Sequence, residues 1–593
     1  MNARVPFATE KLNGTIPMNL ADFYKTGHPG MYPEETDLLV ANFTPRSTKY
    51  APVRTSPLFD DKVVWFGITG FIKEFLIDTF NREFFQTPKD QAVRKYKRRM
   101  DTALGLNRVS MKQLEKLHEL GYLPLEIRSL PEGSRVNVKV PPVLFINTHD
   151  GFPWISTYFE TLFSCENWKP ATVATIAFEF RKLLTYFARV TGSPEEFVMW
   201  QGHDFSMRGM SGVHDAARCG AGHLLSFYGT DTIPAIDYLE DYYGANADTE
   251  LVGGSVPATE HSVMTLRILL ITQRLQRDPA NAEKSEKELR GMAEMEVIRE
   301  LITDLFPSGI VSIVADSFDF WNVMTVIAPT LKDVILNRTP DELGNAKVVF
   351  RPDSGDPVKI LTGYKWIPVK STKDDLAMAA AEAAGYEAVF DEAEGKFYAF
   401  ESYDTGWTTD YKLKELRECE VKGAVECLWD TFGGSITDKG FKLLNPRVGL
   451  IYGDSITLER AMAIMTRLIA KGFASGNVVF GIGSFTYQSL TRDCFGFALK
   501  AIYAEVGGEA VEIYKDPATD DGTKKSAKGL LRVEKEGNDF VLYERQSREE
   551  FEGGALIPIF RNSQLLVDEP VSVIRQRLWA SWECPEAGSV AFN

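Results

Sequence analysis

Carboxylates follow short apolar runs at three places in the second half of the chain. Asp316, Asp353 and Asp454 each come after a run with the composition of a buried β-strand. In a barrel of parallel strands, the side chains at the carboxyl ends of the strands meet at one mouth. Capping of the next helix explains any one of these residues alone. Three together predict a site for Mg²⁺ or for ribose hydroxyls, because Mg²⁺ takes one or two carboxylates plus substrate oxygens.

A histidine and an arginine belong to the same strand-end pattern. His261 directly follows Glu260 in a segment that two glycines open, and an isolated histidine is usually structural or solvated. With Asp316 at the next strand end, the pair has the composition of a base or nucleophile whose ring a carboxylate orients. Arg351 lies two residues before Asp353, between an apolar run and a turn, which predicts a fixed position rather than a free surface charge.

A glycine-rich turn supplies a candidate phosphate site. Gly481-Ile482-Gly483-Ser484 follows an apolar run, and backbone N–H groups at a turn into a helix bind anions. The motif alone is weak, because an ordinary strand-to-helix turn has the same composition. Arg492 and Lys500 follow it and would add positive charge.

The histidines and cysteines do not form a metal-binding pattern. The spacings between His203, His214 and His223 match no recognised ligand set, and no thiolate joins them. The six cysteines are scattered, without a Cys-x-x-Cys pair or a dense framework. We therefore expect reduced, buried thiols, with neither a zinc site nor a disulfide scaffold.

The composition is that of a globular protein with more than one domain. The chain has 593 residues and a formal net charge of −16, which opposes non-specific attraction to nucleic acid or anionic lipid. The N-terminus lacks the apolar core of a signal peptide, and the run from Val63 to Ile72 is far shorter than the ~20 residues of a membrane span. The sequence predicts a cytoplasmic location, in its own cell or in a host, without nucleic-acid or membrane partners.

Between about residues 200 and 490, apolar strands alternate with amphipathic helices, which is typical of a parallel sheet or barrel. Ser285 and Glu288 form a capping box, and apolar residues at three-to-four spacing predict a helix whose buried face runs to about Leu305. A second helix is predicted from about Thr457 to Lys471. These helices must carry the chain back between successive strands.

The regions outside this pattern differ from it and from each other. Up to about residue 190 the chain mixes helical and strand-like runs, residues 362–443 look like an insertion, and strands return after about residue 495. We expect the last segment to pack back on the N-terminal domain. The predicted elements are helices at 63–85, 172–190 and 374–384, strands at 141–146 and 477–480, a Lys-rich loop at 515–528 and a hairpin turn at 536–539.

A series of short motifs runs along the chain in a fixed order. They are Asp22-Phe23-Tyr24-Lys25, Tyr32-Pro33, His203-Asp204-Phe205, Arg208-Gly209, Gly229-Thr230-Asp231-Thr232, Ser255-Val256-Pro257-Ala258, Glu260-His261-Ser262, Ser312, Asp316-Ser317, Arg351-Pro352-Asp353-Ser354-Gly355, Gly453-Asp454, Leu490-Thr491-Arg492-Asp493 and Lys515-Asp516-Pro517. In this order, from about residue 16 to 530, the chain resembles the nicotinamide phosphoribosyltransferases, a family of type II phosphoribosyltransferases.

This resemblance implies an activity and a fold. The activity is transfer of a 5-phosphoribosyl group from phosphoribosyl pyrophosphate to nicotinamide, giving nicotinamide mononucleotide and pyrophosphate, with coupled ATP hydrolysis. The fold is α/β, an irregular parallel α/β barrel with a second α+β domain that contains a largely antiparallel sheet, assembled as a head-to-tail homodimer. The implied domains are residues 1–195, residues 196–494 with an insertion at about 362–443, and residues 495–593, which pack back on the first.

The resemblance also assigns the base-binding residues. Phe205 and the partner subunit's Tyr24 would hold the nicotinamide ring, Asp231 would accept the carboxamide N–H, and Arg351 would lie near the same ring. A carboxylate here repels the carboxylate of nicotinic acid, so Asp231 would select for the amide. Two aromatic rings suit a flat, electron-poor heterocycle. The matched motifs add Arg208, Ser255 and Ser312 to the substrate-binding residues.

Ribose, phosphate and catalytic residues follow from the same resemblance. Asp353 would bind Mg²⁺ and the ribose, with Gly453 and Asp454 on the ribose and phosphate side. His261 matches the phosphorylated histidine of the family, Asp316 matches the acid that orients it, and Glu260 precedes it in the motif. The residues assigned to the 5′-phosphate and pyrophosphate are Arg46, Gly483, Ser484, Arg492 and Lys500.

The chain departs from the family pattern at four places. Ser484 stands where the family tends to have glycine, and Ala498 replaces a hydroxyl residue near the phosphate pocket, so phosphate affinity is expected to differ. Residues 274–294 and 362–443 look like extra or divergent sequence. Neither segment has a function that the resemblance supplies.

Other functions are compatible with parts of the pattern. A nicotinate or quinolinate phosphoribosyltransferase shares the fold, but an acid substrate favours Arg or Lys where Asp231 lies. A catalytically inactive binding protein on the same scaffold is the second alternative, although His261, Arg351 and Asp353 are all present. A type I phosphoribosyltransferase is not favoured, because no apolar strand ends in an acidic pair followed by Thr-Gly-Gly-Thr.

Overall fold

The structure is a computed structural model that describes residues 16–453, 455–514 and 527–592. Asp454 and most of the predicted Lys-rich loop lie outside the described residues. In the part of the chain that is described, no helix combines the length and the apolar character needed to cross a membrane.

Six parallel strands form a sheet that a further segment closes into a barrel. Residues 254–258 bridge its two outer strands, since Gly254 pairs with Gly229 on one side and Ala258 pairs with Ser312 on the other. The predicted irregular parallel α/β barrel is therefore confirmed. In order across the sheet, the strands are Gly229–Thr230, Gly202–Asp204, Val478–Ile482, Val448–Tyr452, Val348–Arg351 and Val311–Val314.

Helices connect the barrel strands, and their starts agree with the local sequence signals. The predicted capping box is formed by Ser285 and Glu288, and Thr457 caps the helix that begins at Leu458. Leu305, predicted on a buried face, is 49% exposed, because a π turn at Leu301–Leu305 rotates the last residues of its helix. The barrel helices are Val213–His223, Ile233–Tyr243, His261–Gln276, Glu286–Glu300, Phe320–Asn322, Ala328–Thr330, Lys332–Leu336, Pro357–Thr362, Ala424–Phe432, Leu458–Ala470 and Ser484–Tyr487.

A second sheet has seven antiparallel strands, and both ends of the chain contribute to it. Strand Thr36–Thr44 pairs with Ala498–Val506, which joins the N-terminal part to the segment after residue 495. The largely antiparallel sheet is confirmed, whereas the predicted domain boundaries remain a proposal. In order, the strands are Glu509–Glu512, Ala498–Val506, Thr36–Thr44, Val143–Asn147, Leu125–Ser129, Ile557–Arg561 and Gln564–Leu565.

The longest of the helices around this sheet is Glu160–Thr191, with 32 residues, which shares one apolar core with the sheet and the barrel. The helix predicted at 63–85 is wrong at its start. Lys62–Val64 is a strand paired with Arg135–Asn137, and the helix begins at Ile68. A continuous run of apolar residues fits a strand as well as a buried helix. The other helices are Lys89–Leu104, Lys112–Leu120, Ile155–Tyr158, Arg548–Phe551 and Val571–Ala580.

Residues 364–422 form a small unit of their own, which we call the added subdomain. Its helix Asp375–Ala383 packs on one face of a four-stranded sheet, and its apolar clusters are separate from the main core. The unit leaves and rejoins the barrel at one point, because a Cβ at Gly423 would lie 2.6 Å from the carbonyl carbon of Thr362. In order, its strands are Trp366–Val369, Ala388–Asp391, Lys396–Asp404 and Thr409–Leu416.

The C-terminal segment contains the predicted hairpin, Arg532–Glu536 and Asp539–Tyr543, joined by a two-residue turn. All six cysteines are free, but only Cys219, Cys427 and Cys494 are buried. The prediction of buried thiols is therefore wrong for the others. Cys165, for example, lies on the exposed side of helix Glu160–Thr191.

Candidate active site

Residues that follow two neighbouring barrel strands and the closing segment 254–258 meet at the carboxylate of Asp316. This side chain is 4% exposed. It accepts hydrogen bonds from the Asp353 backbone N at 3.0 Å, from Ser354 Oγ at 2.6 Å and from His261 Nε2 at 3.2 Å. The loops after these two strands and after the closing segment are thus held together at one buried carboxylate.

The His261 ring is held at one nitrogen and open to solvent elsewhere. Nε2 faces Asp316, the side chain is 46% exposed, and the residue is the first of helix His261–Gln276. A carboxylate on one ring nitrogen favours the tautomer with its N–H there, which leaves the lone pair on Nδ1. The arrangement suits a nucleophile or base of fixed orientation. Glu260 precedes it and accepts a hydrogen bond from Ser262 at the same helix start.

Asp231 follows the short strand Gly229–Thr230 and is an ionised acceptor. Its Oδ1 lies 2.8 Å from His203 Nε2 and 2.6 Å from Ser255 Oγ, and its side chain is 44% exposed. Burial acts to raise the pKa of Asp231, but the hydrogen bonds from His203 and Ser255 and the charge of Arg351 outweigh burial, so the pKa is lowered. These two bonds use one oxygen and leave Oδ2 for a further donor.

An aromatic ring and a guanidinium lie beside this carboxylate. Phe205 directly follows strand Gly202–Asp204, and the Arg351 guanidinium carbon lies 5.9 Å from the centre of its ring. Arg351 is fixed by a 2.7 Å hydrogen bond from Nη2 to the Thr259 carbonyl. Behind the ring, a Cβ at Gly481 would lie 2.8 Å from Phe205 Cδ2. Phe205 and Arg351 thus place an aromatic ring and a cation side by side at the ends of their strands.

Asp353 presents a second carboxylate at the barrel mouth. It is partly exposed and lies against Gly453, where any Cβ would collide with the carboxylate. A carboxylate oxygen is a ligand that Mg²⁺ takes, so Asp353 fits a Mg²⁺ site. Among the described residues no three His, Cys, Asp or Glu side chains gather as metal ligands, so such a site depends on substrate oxygens for most of its ligands.

The predicted phosphate-binding residues lie in two places. Ser484 follows Gly483 and begins the short helix Ser484–Tyr487 at the end of a barrel strand. The Met207–Gly209 turn, which carries the exposed Arg208, packs directly on it, because a Cβ at Gly209 would collide with the Ser484 side chain. Because residues 207–209 follow Phe205 in the chain, this turn connects Phe205 with Ser484 at the end of the next barrel strand.

The other predicted phosphate-binding residues are three cations at one end of the antiparallel sheet. Arg46 follows strand Thr36–Thr44 and donates from Nε to the Gly496 carbonyl at 2.7 Å. Arg492 begins the turn that leads to Gly496, and Lys500 lies opposite Asn42 in the pairing of the two strands. The structure thus places the predicted cations on, or in the turn next to, the strands Thr36–Thr44 and Ala498–Val506 of the antiparallel sheet.

Tyr24 and Ser312 are placed differently from the other predicted substrate residues. Tyr24 is 61% exposed, and its ring contacts His28 at 5.7 Å. Within one chain, no ring contact joins Tyr24 to Phe205 among the residues that the structure describes. Ser312 is 5% exposed within a barrel strand. Tyr24 is therefore available to a second chain, while Ser312 lies in the barrel wall.

Sequence reasoning missed His203, Thr259 and Ser354 as site residues. His203 lies in the His203-Asp204-Phe205 motif, but neither that motif nor its spacing from other histidines assigns it a role, whereas the structure pairs it with Asp231. Ser354 has a usable signal, since it lies in the Arg351-Pro352-Asp353-Ser354-Gly355 motif. The Thr259 contribution is a backbone carbonyl, which no residue type can signal.

Known proteins share most of the length of this chain. A model of the nicotinate phosphoribosyltransferase family matches residues 200–555. Nicotinamide phosphoribosyltransferase of Acinetobacter baylyi is 49% identical over 562 residues, which cover 95% of this chain and 97% of that protein. The nicotinamide phosphoribosyltransferase of Xanthomonas campestris pv. campestris is 28% identical over 565 residues, 93% and 96% of the two chains.

Among solved structures, nicotinate-nucleotide pyrophosphorylase from Pyrococcus furiosus aligns over 97% of both chains with a TM-score of 0.46 and 12% identity. The family match includes every barrel strand from Gly202–Asp204 onward. From the family match and the 49% identity over nearly the whole length, the chain belongs to the nicotinate phosphoribosyltransferase family.

Proposed function

We propose that this protein transfers the 5-phosphoribosyl group of phosphoribosyl pyrophosphate to nicotinamide, forming nicotinamide mononucleotide and pyrophosphate in NAD salvage. The observation that carries the proposal is the ionised Asp231 beside Phe205 and Arg351. An acceptor next to a flat-ring pocket suits a heterocycle with a carboxamide. The Acinetobacter and Xanthomonas relatives are both named for nicotinamide, which agrees with this choice of base.

The site favours the amide over the acid. Asp231 accepts a carboxamide N–H through Oδ2, because Oδ1 is already occupied by His203 and Ser255. Nicotinic acid would place its carboxylate against an ionised Asp231, and like charges at that distance repel. A nicotinate phosphoribosyltransferase, the alternative within this fold, requires the reverse preference.

Charges on both sides of the reacting carbon support the transfer step. Positive charge develops on the ribose as pyrophosphate departs, and the Asp353 carboxylate would stabilise that charge. Arg46, Arg492 and Lys500 would bind the phosphates of the leaving group and the 5′-phosphate, together with Gly483 and Ser484. When bound at Asp353, Mg²⁺ would neutralise pyrophosphate charge. Gly453 leaves the space beside Asp353 that such an arrangement needs.

Incubation of the purified protein with phosphoribosyl pyrophosphate, Mg²⁺ and either base, with and without ATP, tests the proposed function. We expect nicotinamide mononucleotide from nicotinamide and a much slower reaction with nicotinic acid. A preference for nicotinic acid would identify the alternative enzyme. Absence of product with both bases at every ATP concentration would favour an inactive binding protein.

His261 is the proposed acceptor of the γ-phosphoryl group of ATP. Asp316 holds its Nε2, so Nδ1 is the nucleophile, and the exposed position of the ring leaves it accessible to a nucleotide. Asp316 also fixes the Asp353 backbone. Phosphorylation of His261 would therefore affect the position of Asp353, the carboxylate proposed to bind the ribose, through the contact that both residues make with Asp316.

His261→Ala is expected to remove stimulation by ATP while slow transfer continues, because the base and ribose residues are untouched. Initial rates with and without ATP measure the effect, and acid-labile phosphoryl label from γ-labelled ATP should vanish. The matched control is His214→Ala, which removes an exposed histidine of helix Val213–His223. Equal ATP stimulation in wild type and His261→Ala would refute the assignment.

The active protein is proposed to be a homodimer in which Tyr24 of one chain completes the base pocket of the other. Tyr24 is 61% exposed, and neighbouring Phe23 is 49% exposed. The outer side of helix His261–Gln276 also carries exposed leucines, among them Leu266 at 61% and Leu270 at 57%. Apolar surfaces of this kind are typical of an interface.

The free cysteines support the predicted cytoplasmic location.

Two impaired variants should complement each other if the site is shared. Tyr24→Ala and Asp353→Asn place their lesions in different chains of a mixed dimer, so one of its two sites is intact. Co-expression is expected to recover about a quarter of the wild-type activity at low nicotinamide, because half of randomly formed dimers are mixed. Co-expressed Asp353→Asn and Asp231→Ser, with both lesions on the barrel, should recover none. Failure of the first pair to recover activity would contradict a shared site.

A further inference from the structure

Two segments that depart from the family pattern line one cavity. The cavity has a volume of about 740 Å³ and lies between the first turns of helix Glu286–Glu300 and residues 318–327. Residues 284–294 of the first divergent segment, with Met295 directly after it, form one wall, and Arg417 of the added subdomain reaches the other. None of the residues assigned to the transfer reaction lines it. The divergent sequence therefore forms a separate cavity.

A buried carboxyl group, one oxygen of which has no hydrogen-bond partner among the described residues, lines this cavity. Glu294 is 2% exposed, and among the described residues its Oε1 has no hydrogen-bond partner. Burial, followed by the charges of Asp319 and Asp316, raises the pKa of Glu294 to about 8. The group is therefore mostly protonated near neutral pH, and a protonated carboxyl presents one O–H donor beside one acceptor. Leaving such a group unpaired costs free energy, which a complementary ligand would offset.

Cations surround the mouth of the cavity. Lys284, Lys287, Arg290 and Arg417 line it, against the two carboxylates Glu288 and Asp319. Arg417 Nη1 lies 3.1 Å from both oxygens of Asp319, whereas Lys287 is more loosely placed, 3.5 Å from Asp319 with a side chain that is 77% exposed. Arg290 also lies 3.9 Å from Glu286, and Arg417 pairs with Glu420 at 3.3 Å as well as with Asp319. Lys284 and the loosely placed Lys287 are therefore the lining cations that favour an anionic group at the mouth.

The wall between the carboxyl group and the cations is apolar and partly aromatic. Phe318 lines it together with Val326 and Ile327, and the Arg290 guanidinium carbon lies 5.0 Å from the centre of the Phe318 ring. A flat ring placed here would contact both the aromatic face and the guanidinium. The cavity thus offers a buried donor–acceptor pair at Glu294, an apolar and partly aromatic wall, and positive charge.

We propose that this cavity is a binding site for an adenine nucleotide, separate from the strand-end site. The adenine edge carries an amino N–H next to a ring nitrogen acceptor, which complements a carboxyl group in both directions. The base would lie against Phe318 with that edge on Glu294, and the phosphates would lie among Lys284, Lys287 and Arg290. The ligand would also contact Asp319, three residues after Asp316.

Calorimetric titration of the full chain with AMP tests the proposal, because AMP has no γ-phosphoryl group to transfer to His261. Nicotinamide mononucleotide is added in excess to occupy the strand-end site. We expect one AMP per chain. NAD⁺ is titrated in a second arm, since it shares the adenine and phosphates. Tighter binding of AMP identifies a mononucleotide as the source, and tighter binding of NAD⁺ identifies a dinucleotide.

Variants of the lining residues test whether AMP binds in this cavity. Lys287→Glu, at an exposed position, is expected to weaken AMP at least tenfold, whereas Lys535→Glu on the C-terminal hairpin should leave it unchanged. Glu294→Gln keeps a donor and an acceptor and should retain binding, while Glu294→Met should lose it. If Glu294→Met does not fold, Lys287→Glu still decides.

Two outcomes would overturn the proposal. One is the absence of any heat with AMP and NAD⁺ at millimolar concentration. The other is equal affinity in wild type and Lys287→Glu, which would place the nucleotide elsewhere. Binding is measured here without turnover, so failure of this proposal and failure of the proposed reaction are distinguishable.

Discussion

Asp231→Ser is expected to lower kcat/KM for nicotinamide by about 100-fold and to leave nicotinic acid unaffected or improved. The carboxylate is ionised, and a hydrogen bond to a charged group contributes about 1.5–3 kcal/mol, or roughly one to two orders of magnitude. Serine also removes the repulsion that excludes the acid. The preference between the two bases should therefore fall by two orders of magnitude or more, measured as the ratio of kcat/KM values in parallel assays.

The control for this change is Asp237→Ser, which removes an exposed carboxylate from the helix that follows Asp231. It tests whether loss of a nearby negative charge is enough to alter base preference. We expect the ratio to stay at its wild-type value. A ratio that falls equally in both variants would show that the general field, rather than contact with Asp231, selects the base.

The barrel and its mouth could be predicted because their signals are local in sequence. A parallel strand buried on both faces is an uninterrupted apolar run, and the polar residue that follows it marks the mouth. Asp316 and Asp353 follow this rule, and the structure joins them at one hydrogen bond. Arg351 was predicted to be fixed, and its bond to the Thr259 carbonyl fixes it. For these strands, the residue types alone were enough to predict both the strand and the polar residue at its end.

The added subdomain was not predictable in the same way. The Ala-rich helix was predicted and lies at Asp375–Ala383, but the strands around it were not. In strand Lys396–Asp404 no residue is fully buried, so apolar and polar positions do not separate cleanly. A sheet of this kind depends on pairing between strands that are distant in sequence, which local pattern does not show.

The burial of Glu294 was not predictable from helical periodicity. Helical spacing predicts apolar residues on the buried side of helix Glu286–Glu300, yet Glu294 is among its buried residues, while Met292 and Met295 are only partly buried. The reason lies outside the helix, in the cavity that it forms with residues 318–327 and Arg417. His203 is similar, because its partner Asp231 is 28 residues away. In both residues the partner or cavity, rather than the residue type, decides the function.

Asp353→Asn is expected to lower kcat by about 1,000-fold, roughly 4 kcal/mol in the barrier, with little effect on folding. Asparagine keeps the shape beside Gly453, and the backbone N that bonds Asp316 is unchanged. The substitution removes the charge proposed to face the developing positive ribose, and it replaces the carboxylate proposed for Mg²⁺ by a neutral amide, which is a weaker ligand. Single-turnover kinetics over a range of Mg²⁺ concentrations measures the loss, which excess Mg²⁺ should not restore.

Asp356→Asn provides the matched control for Asp353→Asn, because it removes an equal charge three residues further along the chain. Asp356 caps helix Pro357–Thr362 by accepting from Val358 N at 2.9 Å, and asparagine is an equally good cap, so stability should be preserved. Its kcat should stay within about twofold of wild type, since surface charges at this separation are screened by salt. If Asp353→Asn behaved like this control, the charge that assists ribose transfer would have to come from another residue at the barrel mouth.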